Sequence, residues 1–509
     1  MTNDFPNEPV SCCETCDFVL RIGIFFDGTL NNATNISHQR GKGFREEADD
    51  SYKSDYTNVW KLHKVYPRLH SQRTIKGERY IFGNFYIEGV GTDDLEDDDG
   101  WDSATGSWTT GIIAKTKKGG AAAWGFVDAY ANCNIRRIEL DIFGFSRGAA
   151  TARHFANLIK KLDGIHTVST FQAKDYGRRP RGWERKLEPT DAMRGPKRTL
   201  NQQRRYLYSV FSEIPTQIKF IGLFDTVPSV ISSAIDHTAQ NDDNGVVMTD
   251  LPPGIATEKV IHLTALNEQR GNFGLKSVLS NPVACDLPEV NEEGNHLEEC
   301  MYGAHSDIGG GYVSKETKME LGTAESAAEK ALEKGWIGEH VSKSCTSETS
   351  ISPNFLMPTQ NTTETCIIEG ENGRIIRTRE IIDNGYTTPI EEYETKMERD
   401  HVDGRYARIP LQKMHDYAVA NTVPFKSLDP DKNPNDSQFL RDQVDLPEDL
   451  QSIRDKLMVH KEISSEELEL LYKDYLHHSD NEKSIRFLPF ITPHARHESG
   501  KRLIFPNKS

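Results

Sequence analysis

A serine between two glycines, in the pattern G-x-S-x-G, is the strongest chemical signal in the sequence. The pentapeptide runs from Gly144 to Gly148 and has Ser146 at its centre. It follows a run at 138–143 in which Ile and Leu alternate with Glu and Asp, as in a strand, and it opens an Ala-rich run at 147–161 that is typical of a helix. In a strand–turn–helix context the pattern predicts a nucleophile elbow, which presents the serine hydroxyl at the top of a sheet. The sequence therefore predicts a serine hydrolase.

A serine nucleophile needs a base and an acid, and α/β-hydrolases supply them in the chain order Ser, Asp or Glu, His. An apolar run ends at Asp225, which places a carboxylate just past the carboxyl end of a strand, where open α/β sheets hold their sites. A second strand-like run leads to His305 in a glycine-rich loop, the best placed of the 17 histidines. We predict Ser146 as nucleophile, His305 as general base and Asp225 as orienting acid. Asp307 and Asp27 are the alternatives for the acid.

The oxyanion of an acyl-transfer reaction needs two N–H donors, one from the residue after the nucleophile and one from a loop after a neighbouring strand. Arg147 is the residue after the nucleophile. A buried-strand candidate ends in Asp27, Gly28 and Thr29, and the glycine allows a close approach of the backbone. We predict an oxyanion hole made by the Arg147 N–H and a donor of this loop. A plain turn is the alternative for the loop.

Four blocks of sequence belong together: IFFDGTLNN at 24–32, GFSRGAA at 144–150, GLFDTVP at 222–228 and GAHSDIGGGY at 303–312. Jointly they resemble the family of α/β-hydrolase domains that includes the phospholipase effectors of bacterial type VI secretion systems. The resemblance is dense over residues 18–315 and returns near 405–425. It implies a lipolytic esterase of the phospholipase A type that needs no cofactor, with Ser146, His305 and Asp225 as its triad.

The resemblance also implies partners and a destination. The substrate would be a phospholipid membrane surface of a target cell, the carrier a type VI spike or carrier protein, and the antagonist an immunity protein. The protein would be made in the bacterial cytoplasm and act as an antibacterial toxin. No stretch reaches the roughly 18 apolar residues of a transmembrane helix, and residues 1–9 lack the basic and apolar regions of a cleavable signal. We therefore expect a soluble protein that is secreted without such a signal.

Composition removes several other classes of function. With 509 residues and 36% apolar content the chain can bury a large core. Its net charge of −16 argues against a nucleic-acid partner, which would call for a basic excess. We expect no metal site. Cysteines 12, 13 and 16 lack a second pair at zinc spacing, and the acidic run 93–100 does not fit the spacing of an EF-hand.

The predicted architecture is one α/β-hydrolase core at 18–315, a mostly parallel sheet flanked by helices, with insertions at about 90–120 and 163–215. The first insertion has no clear periodicity and is predicted to form a mobile cover over the cleft. The second is rich in Lys and Arg, and either docking on anionic lipid or an ordinary solvated surface would explain it. Residues 316–509 are predicted to be partly helical, with a loop at 342–365, and could cap the site.

Two further expectations concern the periphery of the site. Nothing catalytic is expected of the segment 262–270, and the tail histidines are expected to be solvated; they are His477, His478, His494 and His497. Two alternative functions also remain. The triad could serve a soluble ester, thioester or amide, which would be favoured if the segment 101–113 were packed instead of lid-like. A catalytically silent binding module would be favoured if Ser146 were buried or lay far from His305.

Overall fold

The computed structural model describes residues 16–42, 50–92, 94–95, 108–161, 214–228, 247–271, 273–322, 327–352, 359–383, 388–479 and 502–508. Residues 163–213 of the basic insertion, for which lipid docking and an ordinary solvated surface are both open, lie outside the described residues, as do residues 93 and 96–107 of the first insertion. Among the described residues, no helix combines the length and the apolarity that crossing a membrane requires.

A mostly parallel sheet of eight strands lies at the centre of the first part of the chain. The strands of this part are β1 (Asp17–Phe26), β2 (Gln72–Ile75), β3 (Glu78–Ile87), β4 (Asn134–Phe145), β5 (Thr216–Phe224), β6 (Lys259–Ala265), β7 (Leu275–Lys276), β8 (Val290–Glu293) and β9 (His296–Met301). The sheet has the order β2-β3-β1-β4-β5-β6-β9-β8, and only its two edge strands, β2 and β8, pair antiparallel. The predicted α/β fold with a mostly parallel sheet is confirmed.

Helices cover both faces of this sheet, which is why its strands read as nearly continuous apolar runs. They are α1 (Ala33–Lys42), α2 (Asp50–Lys53), α3 (Asn58–Val65), α4 (Trp108–Ala129), α5 (Arg147–Lys161) and α6 (His305–Gly309). Alternate residues of β4 face opposite sides: Phe143 packs in a cluster with residues of α3, and Ile142 in a cluster with residues of α4 and α5. The carboxyl ends of the central strands therefore meet at one edge between two packed layers.

The first insertion is not a lid where the structure describes it, so the prediction of a mobile cover is wrong for residues 108–120. They form the first half of α4, in which Ile112 and Ile113 are buried. Small residues allow this helix to lie close to the sheet, since a side chain at Gly119 would run into Phe26. Exposed positions recur along the helix at Ala114, Lys118 and Gly125, so α4 buries one face, and the small residues on both faces hide that pattern in the sequence.

The region after residue 314 contains a second, antiparallel sheet that the sequence did not lead us to expect. Its strands are β10 (Lys315–Gly322), β11 (His340–Ser352), β12 (Thr359–Gly370), β13 (Gly373–Asp383) and β14 (Ile390–Val402), in the order β10-β14-β13-β12-β11. The predicted loop at 342–365 is wrong, because most of it forms β11 and β12. A disulfide joins Cys345 and Cys366, which face each other across these two strands. Many of the Thr and Ser side chains lie on exposed strands, and Thr, which is β-branched, is enriched in strands.

The predicted helical character of the C-terminal region is confirmed. Its helices are α7 (Ala327–Glu333), α8 (Arg408–Ala420), α9 (Ser437–Gln443), α10 (Glu448–Met458) and α11 (Ser465–Leu470). Buried residues of α8, among them Ile409 and Met414, join the cluster that covers one face of the central sheet. The last described element is the short strand β15 (Ile504–Phe505), which pairs in parallel with β7.

Candidate active site

The G-x-S-x-G pentapeptide occupies the turn between β4 and α5, as predicted. Ser146 has a φ of 56°, a left-handed conformation that non-glycine residues rarely adopt and that concentrates at functional sites. A Cβ atom at Gly148 would lie 2.3 Å from the carbonyl oxygens of Phe26 and Asp27. The elbow therefore packs backbone against backbone on the end of β1, and only glycine fits at that position.

The predicted acid and base are hydrogen-bonded to each other. His305, the first residue of α6, places Nδ1 2.6 Å from Asp225 Oδ2. Asp225 follows β5 directly, is fully buried and also has a left-handed φ of 39°. The Ala265 N–H donates to its other oxygen, Oδ1, at 3.0 Å. A buried carboxylate on Nδ1 fixes the imidazole tautomer that leaves Nε2 available as a base.

The elbow and the acid–base pair lie side by side. The Ser146 N–H donates to the carbonyl oxygen of Phe224 at 3.0 Å, which ties the elbow to the residue before Asp225. The ring of Phe145, the residue before Ser146, lies 4.7 Å from the His305 ring, centroid to centroid. The structure thus brings the three predicted triad residues to the same edge of the sheet.

The alternative acids have other partners. Asp307 does reach an imidazole, but it is that of His477, with Nδ1 2.7 Å from Asp307 Oδ1. The Asp27 carboxylate accepts from Tyr86 Oη at 2.6 Å and from Thr57 Oγ1 at 2.9 Å. Among these three carboxylates, Asp225 is the one that contacts His305.

Burial and charge set the protonation of the pair. Burial lowers the pKa of His305 below its ordinary value of 6.5, although the bond to Asp225 opposes this shift. Burial alone would raise the pKa of Asp225, but the charge of Arg502 and the bond from His305 hold it well below its usual range. The pair is therefore a neutral imidazole beside a carboxylate near neutral pH, the state that a general base requires.

The loop 27–29, predicted to supply the second oxyanion donor, packs against Gly148 of the elbow. The Asp27 N–H already donates to the Ile87 carbonyl at 2.9 Å, and the Gly28 N–H donates to the Asp27 carboxylate at 2.7 Å. The loop's donor would therefore be Thr29, whose Oγ1 is also buried without a hydrogen-bond partner among the described residues. Burial raises the pKa of Asp27 to about 7, against the hydrogen bonds that it accepts.

The segment 262–270, of which nothing catalytic is predicted, contacts the backbone of the base. Glu268 accepts from the His305 backbone N–H at 3.3 Å and binds the Arg270 guanidinium through both of its oxygens. Arg270 lies 3.4 Å over the ring of Phe273, and Phe273 meets the His305 ring edge-on at 4.9 Å. The signal was present in the sequence, since these charges follow the carboxyl end of β6 as Asp225 follows that of β5.

His477 is buried, so the expectation that it would be solvated is wrong. Its ring stacks on Tyr312 at 3.8 Å between centroids, and its backbone N–H donates to Asp307 Oδ2 at 2.9 Å. The Ala304 N–H donates to the same oxygen, so the pair fixes the start of α6. The ring of the neighbouring His478 meets Trp336 edge-on, while His494 and His497 lie outside the described residues.

Within the described ranges no group of three or more His, Cys, Asp or Glu side chains is arranged to hold a metal ion. Cysteines 12 and 13, and most of the acidic run 93–100, lie outside those ranges.

Comparison with known proteins shows the family and the fold. The chain matches the family model described as "T6SS, Phospholipase effector Tle1-like, catalytic domain" over residues 21–334. Among solved structures it is similar to "Structure of the Tle1 effector bound to the VgrG spike from the Type 6 secretion system". The TM-score is 0.55, the identity 21%, and the match covers 96% of this chain and 94% of that one, which shows a shared fold.

A weaker likeness is to "Crystal structure of an uncharacterized protein from Pseudomonas aeruginosa". The TM-score is 0.38 and the identity 16%, over 90% of this chain and 53% of that one, too little to support an argument. No curated protein matches the chain.

Proposed function

Since the chain belongs to the family of type VI secretion phospholipase effectors through its Tle1-like catalytic domain, we propose that it hydrolyses acyl ester bonds of phospholipids by a Ser146–His305–Asp225 triad. The observation that carries the proposal is the buried His305–Asp225 hydrogen bond of 2.6 Å beside a strained nucleophile elbow. The left-handed φ of Ser146 and of Asp225 and the burial of a charged pair each lower the stability of the fold, and such features cluster at active sites.

The reaction would proceed by acyl transfer. Ser146 Oγ attacks the ester carbonyl carbon while its proton moves to His305 Nε2, and the oxyanion accepts from the Arg147 N–H and from Thr29. The C–O bond to glycerol then breaks, and the leaving oxygen takes the proton from His305. Water repeats the sequence on the acyl-enzyme, so one ester and one water give a fatty acid and a lysophospholipid.

A large cavity lies beside the segment that contacts His305. A cavity of about 1090 Å³ is lined in part by Asn267 and Gln269, the neighbours of the Glu268 that bonds to His305. Its wall includes the apolar side chains of Leu321, Trp336 and Leu468 together with charged residues of α7. Ser146, Asp225 and His305 are not among its lining residues, so the size of this cavity does not decide between a lipid and a soluble substrate.

A second function, hydrolysis of a soluble ester, thioester or amide, is favoured by one observation. The part of the 101–113 segment that the structure describes is packed, with Ile112 and Ile113 buried in α4. A silent binding module is favoured by another, since only 4% of the Ser146 surface is exposed. The same burial also fits a lipase that opens at an interface, in which case vesicles would be cleaved better than monomeric esters.

The first test measures fatty-acid release from mixed phospholipid vesicles beside a short-chain soluble ester. Ser146→Ala should abolish release, while Ser452→Ala, at an exposed serine in α10, should leave it unchanged. Mass analysis of lysophospholipids from lipids with two different acyl chains would identify the position that is cut. Cleavage of only the soluble ester would exclude the lipid assignment, and inactivity on both substrates would favour the binding module.

The biological setting is part of the same proposal. The similar Tle1 effector was solved bound to the VgrG spike, so we propose that a type VI spike also carries this chain and that an immunity protein neutralises it in the producing cell. We propose an antibacterial role at the membrane of a target cell. Directing the chain to the periplasm of a test bacterium should arrest growth, and Ser146→Ala should not. Growth arrest by both forms would contradict the role.

A further inference from the structure

The segment 502–508 is built into the edge of the catalytic core. Its strand β15 pairs with β7. The Leu275 N–H donates to the Leu503 carbonyl at 2.8 Å, and the Ser277 N–H donates to the Phe505 carbonyl at 2.9 Å. This short ladder fixes the register of the segment, and with it the position of the residue that precedes Leu503.

Asn507 closes the other end of the segment. Its Oδ1 accepts from the Leu251 N–H at 2.8 Å, its Nδ2 donates to the Leu251 carbonyl at 2.9 Å, and its own N–H donates to the Leu279 carbonyl at 2.8 Å. Both polar atoms of a buried amide are thus satisfied by backbone partners. The docking of the segment is therefore specific, although none of these contacts touches the triad.

Arg502 is the residue through which the segment reaches the triad. Its Nη1 donates to Asp225 Oδ1 and its Nη2 to Asp225 Oδ2, both at 2.7 Å. Its Nε donates to the Phe273 carbonyl at 2.8 Å, and Nη1 also lies 3.3 Å from the Ala265 carbonyl. The side chain is only 8% exposed. A planar guanidinium held at three points fixes the plane of the carboxylate, because both partners are rigid and bidentate.

We propose that Arg502 is a positioning residue of the triad, which holds the ionised Asp225 in the plane that His305 Nδ1 needs and offsets part of its charge. This inference rests on the proposed esterase function. The oxygen that His305 contacts, Asp225 Oδ2, is one of the two that Arg502 binds. Without Arg502 the Asp225 carboxylate would keep its hydrogen bonds from Ala265 and His305 but could rotate about its Cβ–Cγ bond.

The charges around His305 show how this role differs from a purely structural one. Two carboxylates face the imidazole, Asp225 after β5 and Glu268 after β6. Three guanidiniums lie in the same cluster: Arg502, Arg270, and Arg147, which is close enough to Arg270 for the two to repel. On α6 itself, Asp307 is bonded to His477, and Tyr312, beyond the end of the helix, lies near Arg270.

Removal of the Arg502 charge leaves the two carboxylates less compensated, which favours the imidazolium form of His305. Because only the neutral imidazole accepts the serine proton, the acid limb of the kcat/KM profile should move to higher pH. A residue that merely held the segment in place would change the amount of folded enzyme and would leave the limb where it is.

The experiment compares Arg502→Met, Arg502→Lys and Asn507→Ala with the full wild-type chain. The readouts are kcat and kcat/KM against pH on the short-chain ester, normalised to folded protein, and labelling of Ser146 by a fluorophosphonate. We expect Arg502→Met to lower kcat about 10²-fold, the size of a small misplacement of a catalytic group, and to move the acid limb upward. Arg502→Lys should return the acid limb to its wild-type pH and recover part of kcat, since lysine keeps the positive charge but lacks the planar guanidinium. Asn507→Ala should leave both unchanged.

The proposal is overturned if Arg502→Met keeps the wild-type kcat, or if its limb does not move. It is also overturned if Arg502→Lys is as active as the wild type. If Arg502→Met does not fold, Arg502→Lys alone provides the test. Equal loss in Asn507→Ala would show that only docking of the segment matters, which also overturns it. If the wild-type chain neither cleaves the ester nor reacts at Ser146, the proposed function is overturned as well. If the fluorophosphonate labels Ser146 normally in every variant, only the role of Arg502 is overturned.

Discussion

Around Ser146 the backbone of the elbow touches the backbone of the 27–29 loop, whereas around His305 the contacts run between charged side chains. We call the first region the elbow side; it comprises Ser146, Gly148 and residues 27–29. We call the second region the acid–base side; it comprises Asp225, His305, Glu268, Arg270 and Arg502. On the elbow side, positions are set by the absence of side chains. On the acid–base side, they are set by hydrogen bonds between groups from distant parts of the chain. The two sides should therefore fail in different ways when they are mutated.

Steric contact dominates the elbow side. A Cβ atom at Gly89 would lie 1.7 Å from the Gly28 carbonyl oxygen, and one at Gly28 would lie 2.6 Å from the Phe145 ring. Such distances leave no room for relaxation by a side-chain rotation when the obstacle is backbone. Charge is nearly absent from this packing, apart from the buried Asp27 carboxyl, which holds Tyr86 and Thr57.

Electrostatics dominate the acid–base side. Asp225 and Glu268 are fully buried, and each binds an arginine through both oxygens. A buried ion pair gains little net free energy, but removal of one partner is costly because the other charge stays buried. Variants on this side should therefore affect stability and pH dependence together.

The largest effect is expected where the two sides meet, at Ser146. Ser146→Ala should lower kcat by about 10⁶-fold, the loss seen when a triad nucleophile is removed. Stability should change little, because alanine keeps the same strained φ. Steady-state hydrolysis and thermal unfolding of the same preparation would measure both. A loss below tenfold would show that another residue attacks the substrate.

The next largest effect is expected at Asp225. Asp225→Asn should lower kcat by about 10⁴-fold, because the amide favours the wrong imidazole tautomer. It also leaves the Arg502 guanidinium buried without its counter-charge, so the free energy of unfolding should fall by about 3–5 kcal/mol. Urea unfolding beside kcat would measure the two effects.

Asp431→Asn is the matched control, since Asp431 is exposed and pairs with Arg441 on the surface. It should cost less than about 1 kcal/mol and leave kcat unchanged. An Asp225→Asn protein as stable as this control would mean that the charge cluster does not hold the acid–base side together.

The contrast between the two sides also explains how far the sequence could be read. Ser146, Asp225 and His305 each follow a strand of one parallel sheet, and the carboxyl ends of parallel strands meet at one edge. Local pattern was therefore sufficient to bring them together. The glycines of the elbow side were visible for the same reason, because the requirement for glycine is local.

Arg502 could not be predicted, since it reaches Asp225 only through the pairing of β15 with β7, which joins segments more than 200 residues apart and has two residues in each strand. His477 was missed because its partner, Asp307, lies 170 residues away. The sheet at 315–402 was missed because its exposed Ser and Thr residues have the composition of a loop. Composition does not reveal strand pairing, whereas alternation of buried residues does.

A smaller effect is expected from a side chain added on the elbow side. Gly148→Ala should lower the free energy of unfolding by about 1–3 kcal/mol, because the new methyl group meets two carbonyl oxygens at 2.3 Å. The acid limb of kcat/KM should stay in place, since no charge has changed.

Gly125→Ala is the matched control for this substitution. Gly125 lies within α4, and nothing is found within 4 Å of a Cβ atom placed there. The control should stabilise the protein by up to about 1 kcal/mol through helix propensity. A shift of the limb in Gly148→Ala would show that the two sides are coupled and would remove the distinction drawn between them.

The smallest effect concerns the unmodified protein and asks which force prevails at His305. Burial lowers the pKa of His305 and the bond to Asp225 raises it, with burial the larger of the two. The neutral imidazole is the base, so a lowered pKa means that the active form persists as the pH falls through 6.5. The acid limb of kcat/KM on the short-chain ester should therefore lie below pH 6.5, with less than a tenfold difference in rate between pH 6 and pH 8. A limb above 6.5 would mean that the Asp225 charge outweighs burial, and Arg502 would then neutralise that carboxylate less than its geometry indicates.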